Sequence, residues 1–132
     1  MPTFSLPFGK GTETITLPEE HLLYDLRGRE TQAVADEEAA VQAALEHPIG
    51  SAPLSEIVQA GDTVTIVVSD VTRLVHTDRM LPVIVGELNR IGVADEQITV
   101  LIAPGTHRAH TQAEDELVCG KDMVRRLRIV QH

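Results

Sequence analysis

Two stretches of the chain are almost continuously apolar or β-branched, and a helical pattern separates them. Residues 63–68 (Thr-Val-Thr-Ile-Val-Val) and 98–103 (Ile-Thr-Val-Leu-Ile-Ala) have the length and character of strands that are buried on both faces. Between them, apolar residues recur at helical spacing over 80–91, with Thr77 as the expected N-cap and Gly92 as the C-terminal stop. Strand, helix and strand in this order predict a right-handed βαβ unit with parallel strands.

Weaker patterns on either side of this unit extend the prediction. Alternating residues at 12–17 and the apolar run 22–24 predict short strands that form a small N-terminal β element. Before the unit, we expect a helix capped by Asp36 and ended by Pro48, and one or two helical turns over 53–58. After it, we expect a helix that starts with a Thr111–Glu114 capping box and ends near Gly120, followed by a strand at 127–130. We therefore expect an α/β fold, a Rossmann-like three-layer domain with a mostly parallel sheet, over residues 1–132.

Charge and composition narrow the range of partners. The chain has 20 Asp and Glu against 11 Lys and Arg, a formal net charge of -9, so neither nucleic acid nor a membrane is an expected partner. A small anion is compatible with this charge, because it needs only a local group of Arg, His and backbone N–H donors. The sequence has neither a secretory signal nor a membrane-spanning segment, so a cytoplasmic location is expected.

Polar residues cluster directly after both buried strands. Residues 69–73 (Ser-Asp-Val-Thr-Arg) follow the first strand and residues 103–108 (Ala-Pro-Gly-Thr-His-Arg) end the second. Because parallel strands present their carboxyl ends at one sheet edge, where open α/β sheets bind ligands, the two loops are expected to form half of an active site. Asp70 can orient a neighbouring side chain, and Arg73 offers a planar fork for a carboxylate or phosphate. His107 can act as a general acid or base near neutral pH.

Each of the two loops also has a simpler interpretation than an active site. Each loop alone could be a surface salt bridge with a helix cap, or hold a histidine without a role, but their joint occurrence at one sheet edge favours function. His107 and His110 have His-x-x-His spacing, yet no third ligand stands at metal spacing, so no metal site is predicted. The sequence also lacks the ordinary glycine-rich nucleotide motifs. The alternatives are a non-catalytic domain that binds small anions and a purely structural α/β domain.

The same residues give the chain a resemblance to a known family. The segments that carry it are Phe-Gly-Lys-Gly at 8–11, Ala-Leu-Glu-His-Pro-Ile-Gly-Ser at 44–51, Asp-Val-Thr-Arg at 70–73, and Gly-Thr-His-Arg at 105–108 followed by Thr111 and Glu114. Nearly end to end, the sequence resembles the N-terminal domain of the nickel-dependent lactate racemases, a family of 2-hydroxyacid racemases and epimerases. It departs from the family at Leu74, where proline is frequent.

The resemblance implies an enzyme with a nickel pincer cofactor, a pyridinium mononucleotide that holds nickel through sulfur and carbon and is attached to a lysine. Hydride would pass from a 2-hydroxyacid to this cofactor and return to either face of the 2-keto intermediate. His107 would be one of two histidines that shuttle the hydroxyl proton. Contacts with the cofactor would come from Asp70, Val71, Thr72 and Arg73. Contacts with the substrate would come from Arg73 and Arg108.

In the family, the second catalytic histidine, the cofactor-bearing lysine and the nickel-ligating histidine lie in sequence beyond residue 132. We therefore expect this chain to be the N-terminal part of a longer two-domain enzyme, with a missing C-terminal domain as its partner. Alone it is expected to be inactive and to lack the nickel cofactor. The sequence specifies neither which 2-hydroxyacid is the substrate nor the oligomeric state.

Overall fold

The computed structural model describes residues 1–132 and divides them into two units, residues 1–33 and residues 34–132. In the first unit, strand β1 (Thr3–Phe8) pairs antiparallel with strand β2 (Gly11–Thr16), and a short 3₁₀ turn follows at Glu19–His21. The small N-terminal β element is therefore confirmed.

Two details of this element differ from the prediction. Strand β1 was not predicted, and it contains Pro7, a residue that argues against a strand. The hairpin accommodates Pro7 because an edge strand needs fewer backbone donors. The apolar run 22–24, predicted as a strand, is not one, and Leu23 and Tyr24 are exposed. An isolated apolar run cannot form a strand without a neighbour to take its backbone hydrogen bonds.

The second unit is an α/β fold that ends in a strand. Its elements are α1 (Glu37–Glu46), α2 (Leu54–Ile57), β3 (Val64–Ser69), α3 (Thr77–Ile91), β4 (Ile98–Ala103), α4 (Gln112–Cys119), α5 (Lys121–Arg126) and β5 (Arg128–Gln131). The strands form a parallel sheet in the order β3-β4-β5, in which Val64 lies opposite Ile98 and Thr99 lies opposite Arg128. The predicted α/β class and parallel sheet are confirmed. None of the helices has the length and apolar character needed to cross a membrane.

The hydrophobic core holds β3 and β4 in place and so determines the positions from which the following loops start. It joins side chains from β3 and β4 to aliphatic residues of the helices; its members are Val68, Leu81, Val85, Leu88, Val93, Ile98, Val100, Ile102, Val118, Cys119, Met123 and Leu127. Each fully buried Leu, Ile or Val contributes about 1.5–3 kcal/mol to folding. Because the core holds β3 and β4 in register, the loops that follow them start from a rigid base.

The position of β3 in the sheet corrects one expectation. Its continuous apolar run predicted burial on both faces, but β3 lies at an edge of the three-stranded sheet and Val67 is 64% exposed. Along β3, partly buried Val64 and Ile66 and buried Val68 alternate with the exposed Thr65 and Val67, and the central strand is β4. A run of apolar residues predicts a strand well but carries no information about which strands pair with it.

The start of α3 also differs from the prediction. Thr77 is the first helical residue, and His76 holds the N-cap position in the left-handed region at φ 59° without a side-chain capping bond. Two other predicted caps are confirmed: Asp36 accepts from the N–H of Ala39 at 2.9 Å, and the capping box of Thr111 forms at the start of α4.

Candidate functional site

A cleft of about 390 Å³ lies at the carboxyl ends of β3 and β4. Both polar loops contribute to it; the lining residues are Val67, Val68, Ser69, Asp70, Arg73, Ala103, Pro104, Gly105, Thr106 and His107. The parallel register places Ser69 opposite Ala103, so the two loops leave the sheet side by side. The structure thus brings together the two segments that the sequence placed at one sheet edge.

Each loop begins with a tight turn that presents one polar side chain. The N–H of Arg73 donates to the carbonyl of Asp70 at 3.0 Å, and the N–H of His107 donates to the carbonyl of Pro104, also at 3.0 Å. Gly105 has φ +62°, a left-handed conformation that favours glycine. These turns hold Asp70 and His107 directly beyond the strand ends.

Asp70 and His107 form a hydrogen-bonded pair at the centre of the cleft. The Nδ1 of His107 meets the Oδ2 of Asp70, and since a carboxylate only accepts, the ring N–H is the donor. Asp70 is almost buried, at 4% exposure, whereas the His107 side chain is 52% exposed. The Nε2 of His107 has no hydrogen-bond partner in the chain, so it is the atom that a ligand can reach.

Thr72 completes the surroundings of the carboxylate. Its hydroxyl donates to Oδ1 of Asp70 at 2.7 Å and its backbone N–H donates to the same oxygen at 3.2 Å. The Thr72 hydroxyl and the His107 ring together lower the pKa of Asp70 below its ordinary value of 3.8, against the opposing effect of desolvation. Asp70 is therefore a carboxylate that can orient an imidazole and stabilise its protonated form.

The two arginines singled out by the sequence lie in different surroundings. Arg73 lines the cleft. Arg108 does not, because its guanidinium forms a two-pronged ion pair with Glu114, with contacts of 2.9 and 2.7 Å. Val71 packs against the hydrophobic core. The predicted cofactor contacts of Asp70, Val71, Thr72 and Arg73 and the predicted substrate contacts of Arg73 and Arg108 stay predictions.

His110 is buried and hydrogen-bonded at both ring nitrogens, which its spacing from His107 did not indicate. Its side chain is 1% exposed, its Nε2 accepts from the N–H of Val71 at 3.1 Å, and its Nδ1 contacts Asp115 at 3.1 Å. The chain contains no group of three or more His, Cys, Asp or Glu side chains placed to hold a metal ion. Nothing in the sequence pointed to the contact with Val71, because its partner is 39 positions away.

The open α/β sheet places an Asp–His pair and an arginine in one cleft at its carboxyl edge, and these groups are chemically able to hold a small anion and exchange a proton with it. The family profile described as "Lactate racemase N-terminal domain" matches residues 8–132. The chain belongs to this family, which confirms the resemblance identified from its sequence segments.

Known relatives agree with this assignment. The chain is 31% identical over 134 residues to the lactate racemase of Thermoanaerobacterium thermosaccharolyticum and 30% identical over 134 residues to that of Lactiplantibacillus plantarum. Both alignments cover 100% of this chain and 31% of the relative, so the chain spans about a third of their length. The structure of the lactate racemase apoprotein from T. thermosaccharolyticum superposes with a TM-score of 0.81 at 31% identity, over 99% of this chain and 30% of that one.

Proposed function

We propose that this chain supplies half of the active site of a 2-hydroxyacid racemase or epimerase, and that lactate is the first substrate to test. The observation that carries the proposal is the Asp70–His107 pair in the cleft beyond β3 and β4, with Nε2 of His107 free. The relatives that cover the whole chain bear the name lactate racemase, which supports the choice of substrate.

The proposed chemistry assigns a proton transfer to His107. Oxidation of a 2-hydroxyacid at C2 would need a hydride acceptor, which the enzyme's cofactor would supply when bound, and the C2 hydroxyl must lose its proton for the 2-keto acid to form. The Nε2 of His107 takes that proton, and Asp70 stabilises the resulting imidazolium through Nδ1. When hydride returns to either face of the keto carbon, His107 gives the proton back. Arg73 pairs with the substrate carboxylate or with an anionic group of the cofactor.

The family resemblance implies a nickel pincer pyridinium mononucleotide, which when bound would supply the hydride chemistry. The residues of this chain fit the phosphate of such a group but not its covalent attachment or its nickel. Arg73 can bind a phosphate at the cleft, but the cleft lining contains no lysine for a covalent link, and no cluster of side chains in the chain is placed to hold nickel. We propose that the lysine and the nickel ligand belong to the part of the enzyme outside the segment matched here.

Replacement of His107 in a complete racemase that contains this chain tests the proposal. With cofactor-loaded enzyme, we expect His107→Ala to slow the interconversion of L- and D-lactate by about 10²–10⁴-fold, the usual contribution of a general acid–base group. His47→Ala is the matched control, because His47 is an exposed histidine at the end of α1 outside the cleft lining. The measurement is chiral chromatography of lactate over time.

Two results would contradict the proposal. A His107→Ala enzyme that racemises lactate at the wild-type rate would remove the proton-transfer role. A loaded wild-type enzyme that binds lactate at the cleft but racemises neither lactate nor other 2-hydroxyacids would favour the alternative function, a non-catalytic site for small anions.

A further inference from the structure

We propose that His110 is a positioning residue whose buried ring holds the loop that carries Asp70, and thereby keeps the Asp70–His107 pair in its cleft geometry. The proposal deepens the proposed function, since the value of the pair for catalysis rests on it. The positioning itself is a property of this chain and can be measured without racemase activity.

The first argument is the way in which the two loops are joined. Two hydrogen bonds link the loop after β3 to the loop after β4: the bond between Asp70 and His107, and the bond from the N–H of Val71 to Nε2 of His110 at 3.1 Å. Val71 directly follows Asp70 in sequence. The ring of His110 therefore fixes the peptide group next to the carboxylate that orients His107.

The second argument is that His110 is itself anchored. Its Nδ1 contacts Oδ1 of Asp115 on α4, and its backbone N–H donates to Oε1 of Gln131 on β5 at 2.7 Å. The Nε2 of Gln131 donates to both carboxylate oxygens of Asp115, at 3.2 and 3.3 Å. His110 is thus anchored to α4 through its ring and to β5 through its backbone, so it can hold the loop rather than move with it.

The hydrogen bonds also assign the protonation of this ring. Because Nε2 accepts a backbone N–H, it carries no proton, and Nδ1 is the protonated nitrogen that donates to Asp115. His110 at 1% side-chain exposure therefore has both ring nitrogens occupied, unlike His107. It cannot exchange a proton with a ligand in this state, which leaves positioning as its contribution.

Two substitutions separate the contact with Val71 from the contact with Asp115. In His110→Gln the side-chain amide reaches the position of Nε2 and can accept from Val71. In His110→Asn the amide reaches only the position of Nδ1, so it can serve Asp115 but not Val71. A merely structural role would make the two variants equivalent, whereas the proposal predicts that only Asn releases the loop.

Nuclear magnetic resonance of this chain provides the measurements. We expect the amide of Val71 to exchange about three- to tenfold faster with solvent in His110→Asn, as the loss of one hydrogen bond allows. We expect the pKa of Asp70, followed through its carboxyl ¹³C shift, to rise toward its ordinary value in the same variant. His110→Gln should retain both wild-type properties. Wild-type behaviour in His110→Asn, or equal changes in both variants, would overturn the proposal.

A measurement on the unaltered chain guards against variants that fail to fold. The proposal expects a scalar coupling across the hydrogen bond between the amide nitrogen of Val71 and Nε2 of His110, and its absence would overturn the proposal. In a complete racemase, His110→Asn should lower kcat by up to about 10²-fold with a much smaller change in KM, because displaced catalytic groups lose reactivity. If lactate racemisation fails for the wild type as well, the proposed function fails, while the couplings and exchange rates still decide the role of His110.

Discussion

His107 and His110 lie three positions apart in one loop and each bonds an aspartate through Nδ1, yet their surroundings differ. The side chain of His107 is 52% exposed and lines the cleft, whereas that of His110 is 1% exposed and does not line it. The difference lies at Nε2, which is free in His107 and accepts the N–H of Val71 in His110. An aspartate-bound histidine is therefore not by itself a sign of catalysis. The sign is a second nitrogen that a ligand can reach.

The comparison predicts that the two histidines divide function and stability between them. His110→Ala should lower the free energy of unfolding of this chain by about 2–4 kcal/mol. The N–H of Val71 loses its acceptor, which costs about 1–3 kcal/mol, and Asp115 loses one hydrogen bond, worth about 1 kcal/mol, while it keeps those from Gln131. His107→Ala should cause the smaller loss, because its ring is half exposed. Urea denaturation of the two variants measures the difference.

A larger loss of unfolding free energy in His107→Ala than in His110→Ala would contradict this division of roles. If His107→Ala destabilised the chain more than His110→Ala, His107 would hold the structure and its exposed nitrogen would need another explanation. Wild-type stability in His110→Ala would show that the buried network contributes nothing to folding.

A smaller effect is expected from the carboxylate that orients His107. The pKa of Asp70 is lower in the folded chain than its ordinary value of 3.8, so the ionised group stabilises the fold above that pH. This stabilisation is fully present near neutral pH and is lost as the pH falls below about 4. The difference in unfolding free energy between the wild type and Asp70→Asn should therefore shrink from pH 6 to pH 3, as measured by urea titrations.

Thr72 provides a matched control for this pH dependence. Its hydroxyl is the largest cause of the lowered pKa of Asp70. In Thr72→Val the pKa of Asp70 in the folded chain should rise toward its ordinary value, so the loss of stability between pH 6 and pH 3 should be smaller than in the wild type, while Thr72→Ser, which keeps the hydroxyl, should behave like the wild type. A difference between wild type and Asp70→Asn that stays constant down to pH 3 would contradict the assignment of the carboxylate.

Local patterns predicted much of this fold, and they did so where neighbouring residues determine the structure. The strand at 98–103 was predicted with its observed limits, and Gly92 and the capping box of Thr111 mark helix ends that depend on a few adjacent residues. The edge position of β3 was missed, because sheet order depends on pairing between distant segments. Helix α5 was missed as well, since Gly120 ends one helix and starts the next without a longer break.

The same distinction applies to the candidate site. Asp70 and His107 could be placed at one sheet edge from sequence, because parallel strands present their carboxyl ends together. Their direct hydrogen bond could not be predicted, and neither could the pairing of Arg108 with Glu114. The bond from Val71 to His110 was also beyond the sequence, because it depends on how two loops pack across 39 positions.

The central claim is that Asp70 holds His107 through Nδ1 and leaves Nε2 free in the cleft. A long-range ¹H–¹⁵N spectrum of this chain, recorded at a pH where the ring is neutral, measures which nitrogen of His107 carries the proton. The account predicts the Nδ1–H form in the wild type and a loss of this preference in Asp70→Ala. A His107 ring protonated at Nε2 in the wild type, or an unchanged ring in Asp70→Ala, would contradict it.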